Sequence, residues 1–194
     1  MRISTIPTMR KKPTYYLGNF IIFLSLCGLL FIFFPVLTAY LYPPSLTVEE
    51  RQSGYTLSIP RIKAEGKVIE NVDPFQKDEY MSALKKGIAH AKGTSLPSEK
   101  GMSFLFAHSS GLPWELTRYN SVFLRLNELQ KNDEIAINYK GEKYTYKVAD
   151  KKEIYPHEVE YLLKQSPYDL ILQTCTPIGT DYKRLLIFAQ KVTS

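Results

Sequence analysis

The hydrophobic pattern splits the chain into two unequal parts. Phe20 to Tyr42 is an apolar stretch of 23 residues with no charged side chain. From Tyr55 onward the apolar residues come in short runs, separated by Gly, Pro and charged positions. The first pattern predicts one long helix, which at 23 residues would reach about 35 Å and cross a hydrocarbon core of about 30 Å. The second predicts short strands joined by turns.

Taken in order, Tyr55–Ile62 predicts a strand with Pro60 near its end, and Lys67–Val72 predicts another. Met81, Leu84 and Ile88 share one side at helical spacing, so a helix is expected within 73–87. Residues 89–101 are rich in Gly, Pro, Ser and Lys and predict a loop. Met102–Ala107 is apolar and predicts a buried strand that opens into His108-Ser109-Ser110-Gly111. Trp114, Arg118 and Tyr119 follow, and Phe123, Leu126 and Leu129 predict a short helix or a turn leading into one. Ile135, Ile137 and Tyr139 alternate with polar residues, as do Tyr144, Tyr146 and Val148, with a hairpin turn expected at Lys140-Gly141. Pro156–Lys164 predicts one or two helical turns with Val159, Leu162 and Leu163 facing in, and the runs at 169–174 and 183–190 predict the last strands. Seven or eight strands without regular strand–helix alternation predict an all-β fold, a closed or nearly closed and mainly antiparallel barrel.

Charge adds a direction to this picture. Arg2, Arg10, Lys11 and Lys12 precede the apolar stretch with no acid among them, leaving 21 basic against 19 acidic residues after it, a split of +4 and +2. Basic flanks stay in the cytoplasm, so residues 1–19 are expected inside, 20–42 as a signal anchor surrounded by membrane lipid, 43–53 as a tether and 54–194 as an extracytoplasmic domain. Tyr15, Tyr16, Tyr40 and Tyr42 stand at the two ends as interfacial aromatics. The rival reading is a cleaved signal peptide, against which the stretch is long and Thr38-Ala39-Tyr40 is a poor small-x-small site. The outer part is nearly balanced in charge, which gives no ground for a nucleic-acid partner.

The candidate chemistry gathers late in the chain. Of the two cysteines, Cys27 lies in the apolar stretch, so Cys175 is left without an intrachain partner in the outer domain. It ends the run Leu170-Ile171-Leu172-Gln173-Thr174, and Arg184 opens the next run after a loop holding Pro177 and Gly179. Two adjoining strand ends would hold a thiol and a guanidinium on rigid supports. A thiol in that position reads either as a small buried hydrophobe or as a nucleophile. His108 likewise ends a buried run, and it reads either as a strand-capping loop residue or as the imidazole partner of a catalytic thiol. His90, His108 and His157 show no ligand spacing, so no metal is expected, and the absence of CxxC, a Gly-rich phosphate loop or a Gly-x-Ser-x-Gly turn leaves no cofactor implied.

Several of these short patterns, in this order, resemble the sortases, the membrane-anchored cysteine transpeptidases of bacterial surfaces. Ile171-Leu172-Gln173-Thr174-Cys175 followed by Arg184-Leu185 resembles the family's Thr-Leu-x-Thr-Cys strand and its downstream arginine. Ala107-His108-Ser109 is similar to the block that carries the family's catalytic histidine. Ile59-Pro60-Arg61-Ile62 looks like its first-strand Ile-Pro-x-Ile, and Gly87-Ile88-Ala89-His90 looks like its Gly-x-x-His block, which assigns His90 a noncatalytic place. The resemblance spans residues 55–188, and its clearest departure is Ile171 where the family usually has threonine.

The resemblance implies a sortase-like closed β-barrel with short helices behind one transmembrane helix. It implies Cys175, His108 and Arg184 as the catalytic residues, with Thr174 orienting the strand end or contacting substrate. The implied reaction is cleavage of an LPxTG-like (Leu-Pro-x-Thr-Gly) sorting signal on a secreted protein through a thioacyl intermediate. The acyl group would pass to an amine of a peptidoglycan precursor or of a protein lysine. Two alternatives remain: a sortase-like cysteine peptidase that only hydrolyses its peptide, and an inactive membrane-anchored binding domain.

Overall fold

The computed structural model of the chain describes residues 13–42, 45–109, 121–158 and 166–192. Helix α1 (Pro13–Leu41) begins seven residues before the uncharged stretch, since Pro13 suits a first helical turn. Its segment Pro13–Phe34 has a mean hydropathy of 2.4 and is not buried by the rest of the protein, so α1 is long and apolar enough to cross a bilayer. It is consistent with a single-pass membrane anchor.

The stretch expected as a tether contains helix α2 (Val48–Ser53), opened by a reciprocal cap. The Glu50 amide donates to Thr47 Oγ1 at 3.3 Å, and the Thr47 amide donates to the Glu50 carboxylate at 2.9 Å. The segment is docked and does not hang free: Leu46 is buried, its amide donates to Glu65 Oε2 at 3.1 Å, and Arg51 pairs with the same oxygen at 2.7 Å.

Eight strands follow: β1 (Thr56–Ile59), β2 (Ala64–Val72), β3 (Ile88–Ala91), β4 (Ser103–Phe106), β5 (Glu134–Tyr139), β6 (Glu142–Ile154), β7 (Leu170–Thr176) and β8 (Lys183–Lys191). They close into a barrel in the order β1-β2-β3-β4-β7-β8-β6-β5. The pairs β2–β3 and β4–β7 are parallel and the rest antiparallel. Helix α3 (Lys77–Leu84) makes the crossover that the first parallel pair needs, and it sits within the expected 73–87 window. The expected Tyr55–Ile62 strand is shorter than its apolar pattern, because Pro60 starts a 3-10 turn at Pro60–Ile62. The loop expected at 89–101 starts later, after Ala91, because Ile88–Ala91 is a strand buried at every position and shows no alternation to mark it. Gly87 before it is required by close approach: a Cβ there would run into the Lys67 carbonyl oxygen.

The β5–β6 hairpin turns at Lys140 and Gly141, whose φ angles of 52° and 83° give the left-handed pair that such turns use. The core fills the barrel with Leu57, Ile59, Phe104, Phe123, Ile137 and Leu172, all at 1% exposure or less. Leu170, Ile171 and Leu172 are wholly buried because β7 lies between β4 and β8 and is covered on both faces. Trp114, Arg118, Tyr119, Val159, Leu162, Leu163 and the basic residues of 1–12 lie outside the described residues.

Candidate active site

Strand β7 is the axis of the site. On one side Cys175 stands directly opposite Arg184 of antiparallel β8. On the other side β4 runs parallel, with Phe106 paired to Gln173 and the Ala107 amide donating to the Gln173 carbonyl at 3.1 Å. His108 follows two residues after the end of β4, on the flank of β7 opposite to Arg184. Register partners project to the same face of a sheet, so the Cys175 and Arg184 side chains leave their adjoining strand ends on one side. His108 is half-buried, and its carbonyl accepts from the Phe123 amide at 3.3 Å.

Thr174 secures this juxtaposition. Its side chain is 3% exposed, and its hydroxyl donates to the Ala107 carbonyl at 2.9 Å. The bond ties β7 to β4 one residue before both Cys175 and His108. Arg184 is oriented by the loop it closes: its Nη1 donates to the Asp181 carbonyl at 2.8 Å and to the Lys183 carbonyl at 3.2 Å. Nε and Nη2 make no hydrogen bond among the described residues. The loop itself is pinned by Thr180, whose hydroxyl donates to the Pro177 carbonyl at 2.8 Å.

Cys175 is half-buried and free of disulfide. Burial pushes its thiol pKa up, the Arg184 guanidinium pulls it down, and the Asp181 carboxylate pushes it up again, with the net direction upward. Asp181 escaped the sequence reading, since an acid in a polar loop carries no pattern that ties it to a thiol. Beside the sulfur lies a depression of about 360 Å³. Phe123, Leu124, Ile178 and Leu185 give it apolar wall, while Asn127 and Thr174 bring polar groups. The segment 121–129 that forms one wall follows the second of the two expected forms, a turn leading into a short helix, here a 3-10 helix at Leu126–Glu128.

The other nominated residues fall elsewhere. His90 is buried within β3 and not at the strand ends of the site: its Nε2 lies 3.1 Å from both the Ser95 carbonyl and Thr94 Oγ1. His157 stacks on Tyr155 just beyond Ile154, the partner of Arg184 across β6 and β8. Ile171, the departure from the family pattern, pairs with Phe104 and Phe188 in the core.

A closed barrel that sets a thiol strand between an imidazole strand and a guanidinium strand is the framework of a cysteine acyl-transferring enzyme. A family model described as the Sortase domain matches residues 57–192, and the chain belongs to the sortase family. It is similar to Sortase D of Bacillus subtilis (strain 168), at 29% identity over 153 residues covering 77% of this chain and 69% of that protein. Among solved structures, sortase C-1 from Actinomyces oris matches with a TM-score of 0.60 and 28% identity, over 82% of each chain. The lid mutant of Sortase A from Corynebacterium diphtheriae matches with a TM-score of 0.60 and 27% identity, over 75% of this chain and 73% of that one. The protein is thus an enzyme of the cysteine transpeptidase and hydrolase class, and its Cys, His and Arg strand ends are consistent with that mechanism.

Proposed function

We propose that the protein is a membrane-anchored transpeptidase that cleaves an LPxTG-like sorting signal and transfers the exported protein to an amine acceptor. The single observation that carries this is the Cys175–Arg184 pairing across β7 and β8, with His108 on the other flank of the thiol strand. Cys175 Sγ attacks the threonine carbonyl carbon, and a C–S bond forms. The C–N bond to glycine then breaks, and His108 gives its proton to the departing amine. The incoming amine attacks the thioester, His108 takes the amine proton, and the thiol is restored. The acceptor is an amine of a peptidoglycan precursor or a protein lysine.

Arg184 stabilises the oxyanion with N–H groups that its loop leaves uncommitted, a fixed cationic donor that needs no reorganisation. The upward direction of the Cys175 pKa supports a thiol that is protonated at rest, so that its proton passes to His108 as the sulfur attacks. The apolar part of the depression, at Phe123, Leu124, Ile178 and Leu185, supports a substrate with Leu and Pro side chains, and its polar part supports one whose backbone is bound as well. The basic tail supports residues 1–19 in the cytoplasm, 20–42 in the membrane, 43–53 as the link and 54–194 outside. An exported substrate retained by its own apolar tail would meet the site in two dimensions, at raised effective concentration.

The test incubates the full chain with LPxTG-like peptides and a panel of amines, and follows the products by mass spectrometry. An acyl adduct on Cys175 and a ligated product are expected, and both vanish in Cys175→Ala. Hydrolysis with no ligation across the amine panel would overturn the transfer step in favour of a peptidase. Turnover that survives Cys175→Ala would overturn the thiol mechanism altogether.

A further inference from the structure

The membrane helix does not part from the barrel where its apolar stretch ends. Thr38 and Ala39 in its last turns are half-buried, and Tyr40 beside them reaches segment 121–129. The Tyr40 hydroxyl donates to Glu128 Oε1 at 3.0 Å. The Arg125 guanidinium lies 4.7 Å from the centre of the Tyr40 ring. Arg125 also grips both carboxylate oxygens of Glu128, through Nε at 2.9 Å and Nη2 at 2.7 Å. One side chain of the anchor therefore meets a cation on its face and an anion at its tip, and a two-point ion pair fixes those charges relative to each other.

The contact point is not a neutral piece of surface. Arg125 and Glu128 bracket Asn127, and Phe123, Leu124 and Asn127 wall the Cys175 depression. Lys151 of β6 holds the same turn from the barrel side, its Nζ donating to the Asn127 carbonyl at 2.7 Å and to the Leu129 carbonyl at 3.1 Å. Beyond residues 43–44 the chain is fixed again, by buried Leu46 and the Glu65 bonds to Leu46 and Arg51. The anchor is thus tied to the barrel on both sides of its junction, and one tie is made to a wall of the cleft.

We propose that Tyr40, Arg125 and Glu128 form a latch that fixes the barrel's pose on its membrane helix and holds the Cys175 depression at a set height above the bilayer. The latch rests on the sorting-signal reading, because a set height matters only for a substrate retained in the same membrane. Such a substrate presents its cleavage site a fixed number of residues from its own apolar tail. A cleft held at that height meets it at high effective concentration, whereas a swinging cleft samples many unproductive heights. The three residues are positioning residues and touch no reacting atom.

The test uses the full chain in phosphatidylcholine–phosphatidylglycerol vesicles with one signal in two forms, as a soluble peptide and fused to an apolar transmembrane tail in the same vesicles. Tyr40→Ala should lower the ratio of tail-anchored to soluble turnover by about tenfold, with the soluble rate unchanged. Tyr40→Trp, which keeps a ring and a donor, should restore most of the ratio. An unchanged ratio in Tyr40→Ala, or an equal fall for both substrates, would overturn the latch. A second arm is independent of catalysis: nitroxides are placed at Leu37→Cys and Lys140→Cys in a chain carrying Cys27→Ala and Cys175→Ala. The distance distribution should be narrow with Tyr40 present and broad in Tyr40→Ala; equal breadth in both overturns the latch whatever the enzyme does. A narrow distribution with no turnover of either peptide by the unsubstituted chain would instead sink the sorting-signal reading.

Discussion

Replacing Thr174 by valine separates two roles that a threonine beside a catalytic cysteine can play. The shapes are nearly equal, so the change removes one hydroxyl and little volume. That hydroxyl is buried at 3% exposure and donates to the Ala107 carbonyl at 2.9 Å. A buried acceptor left without its donor costs about 1–3 kcal/mol, more than the net worth of an average hydrogen bond. For a domain of this size, that corresponds to a fall in Tm of roughly 3–10 °C. The lost tie also frees the ends of β4 and β7 to shift against each other, and a misplacement on the order of 1 Å between reacting groups costs up to about 10²-fold in rate. Thermal unfolding and peptide kinetics on Thr174→Val should therefore show lower stability and a lower kcat with KM little changed. Thr174→Ser, which keeps the donor, should recover most of the kcat. A variant as stable as the parent that loses only KM would refute the structural tie and make Thr174 a substrate contact.

Arg184→Ala should reduce kcat by about 10²–10³-fold while leaving unfolding nearly unchanged, and Arg184→Lys should recover only part of it, because an ammonium lacks the guanidinium's spread of donors. Alkylation of Cys175 should reach its half-maximal rate at a higher pH than an exposed cysteine does, since its pKa is raised and the thiolate is the reacting form. Asp181→Asn should move that profile to lower pH and Arg184→Ala to higher pH; shifts of the opposite sign would refute the assigned causes. His90 is buried with its pKa lowered, so the unfolded chain takes up the proton first as pH falls below about 6.5. Stability should be full above that value and decline below it, and urea midpoints at several pH values should show a flatter acid limb in His90→Gln. Protease added to intact cells should remove residues 54–194 and spare the anchor; a protected domain would reverse the proposed orientation.

The elements that could be read from the sequence are those whose pattern is local. The β5–β6 hairpin announces itself through alternating Ile135, Ile137 and Tyr139 and through a turn that requires positive φ at Lys140 and Gly141. Helix α1 is legible because a long uncharged apolar run, of the kind a bilayer crossing requires, marks its extent. Strand β3 was not legible, because its four residues are buried on both sides and include a histidine, so neither period nor composition marks them. Helix α2 does not show in the sequence for a related reason: one valine followed by five polar residues makes no apolar face to detect, and the helix depends on a cap and on Glu65 across the fold. Barrel order lies beyond any local pattern. The bond from Thr174 to Ala107 joins positions 67 apart, and only the closed sheet brings them together.

The site divides along the same line. Its residue types were legible, because a cysteine, a histidine and an arginine each stand where an apolar run meets a loop, and strand ends are where a rigid sheet presents side chains to solvent. Their electrical state was not legible. The charge that the sequence pattern ties to Cys175 is Arg184, at the start of the next apolar run, which by itself argues for a lowered thiol pKa. Burial outweighs it, and burial is set by how β4, β7 and segment 121–129 close over the sulfur. Asp181 adds to the same side only because its loop folds back far enough for its carbonyl to receive Arg184 Nη1. A guanidinium that is visible in the sequence and a desolvation that is not thus oppose each other at one sulfur, and the outcome is a property of packing.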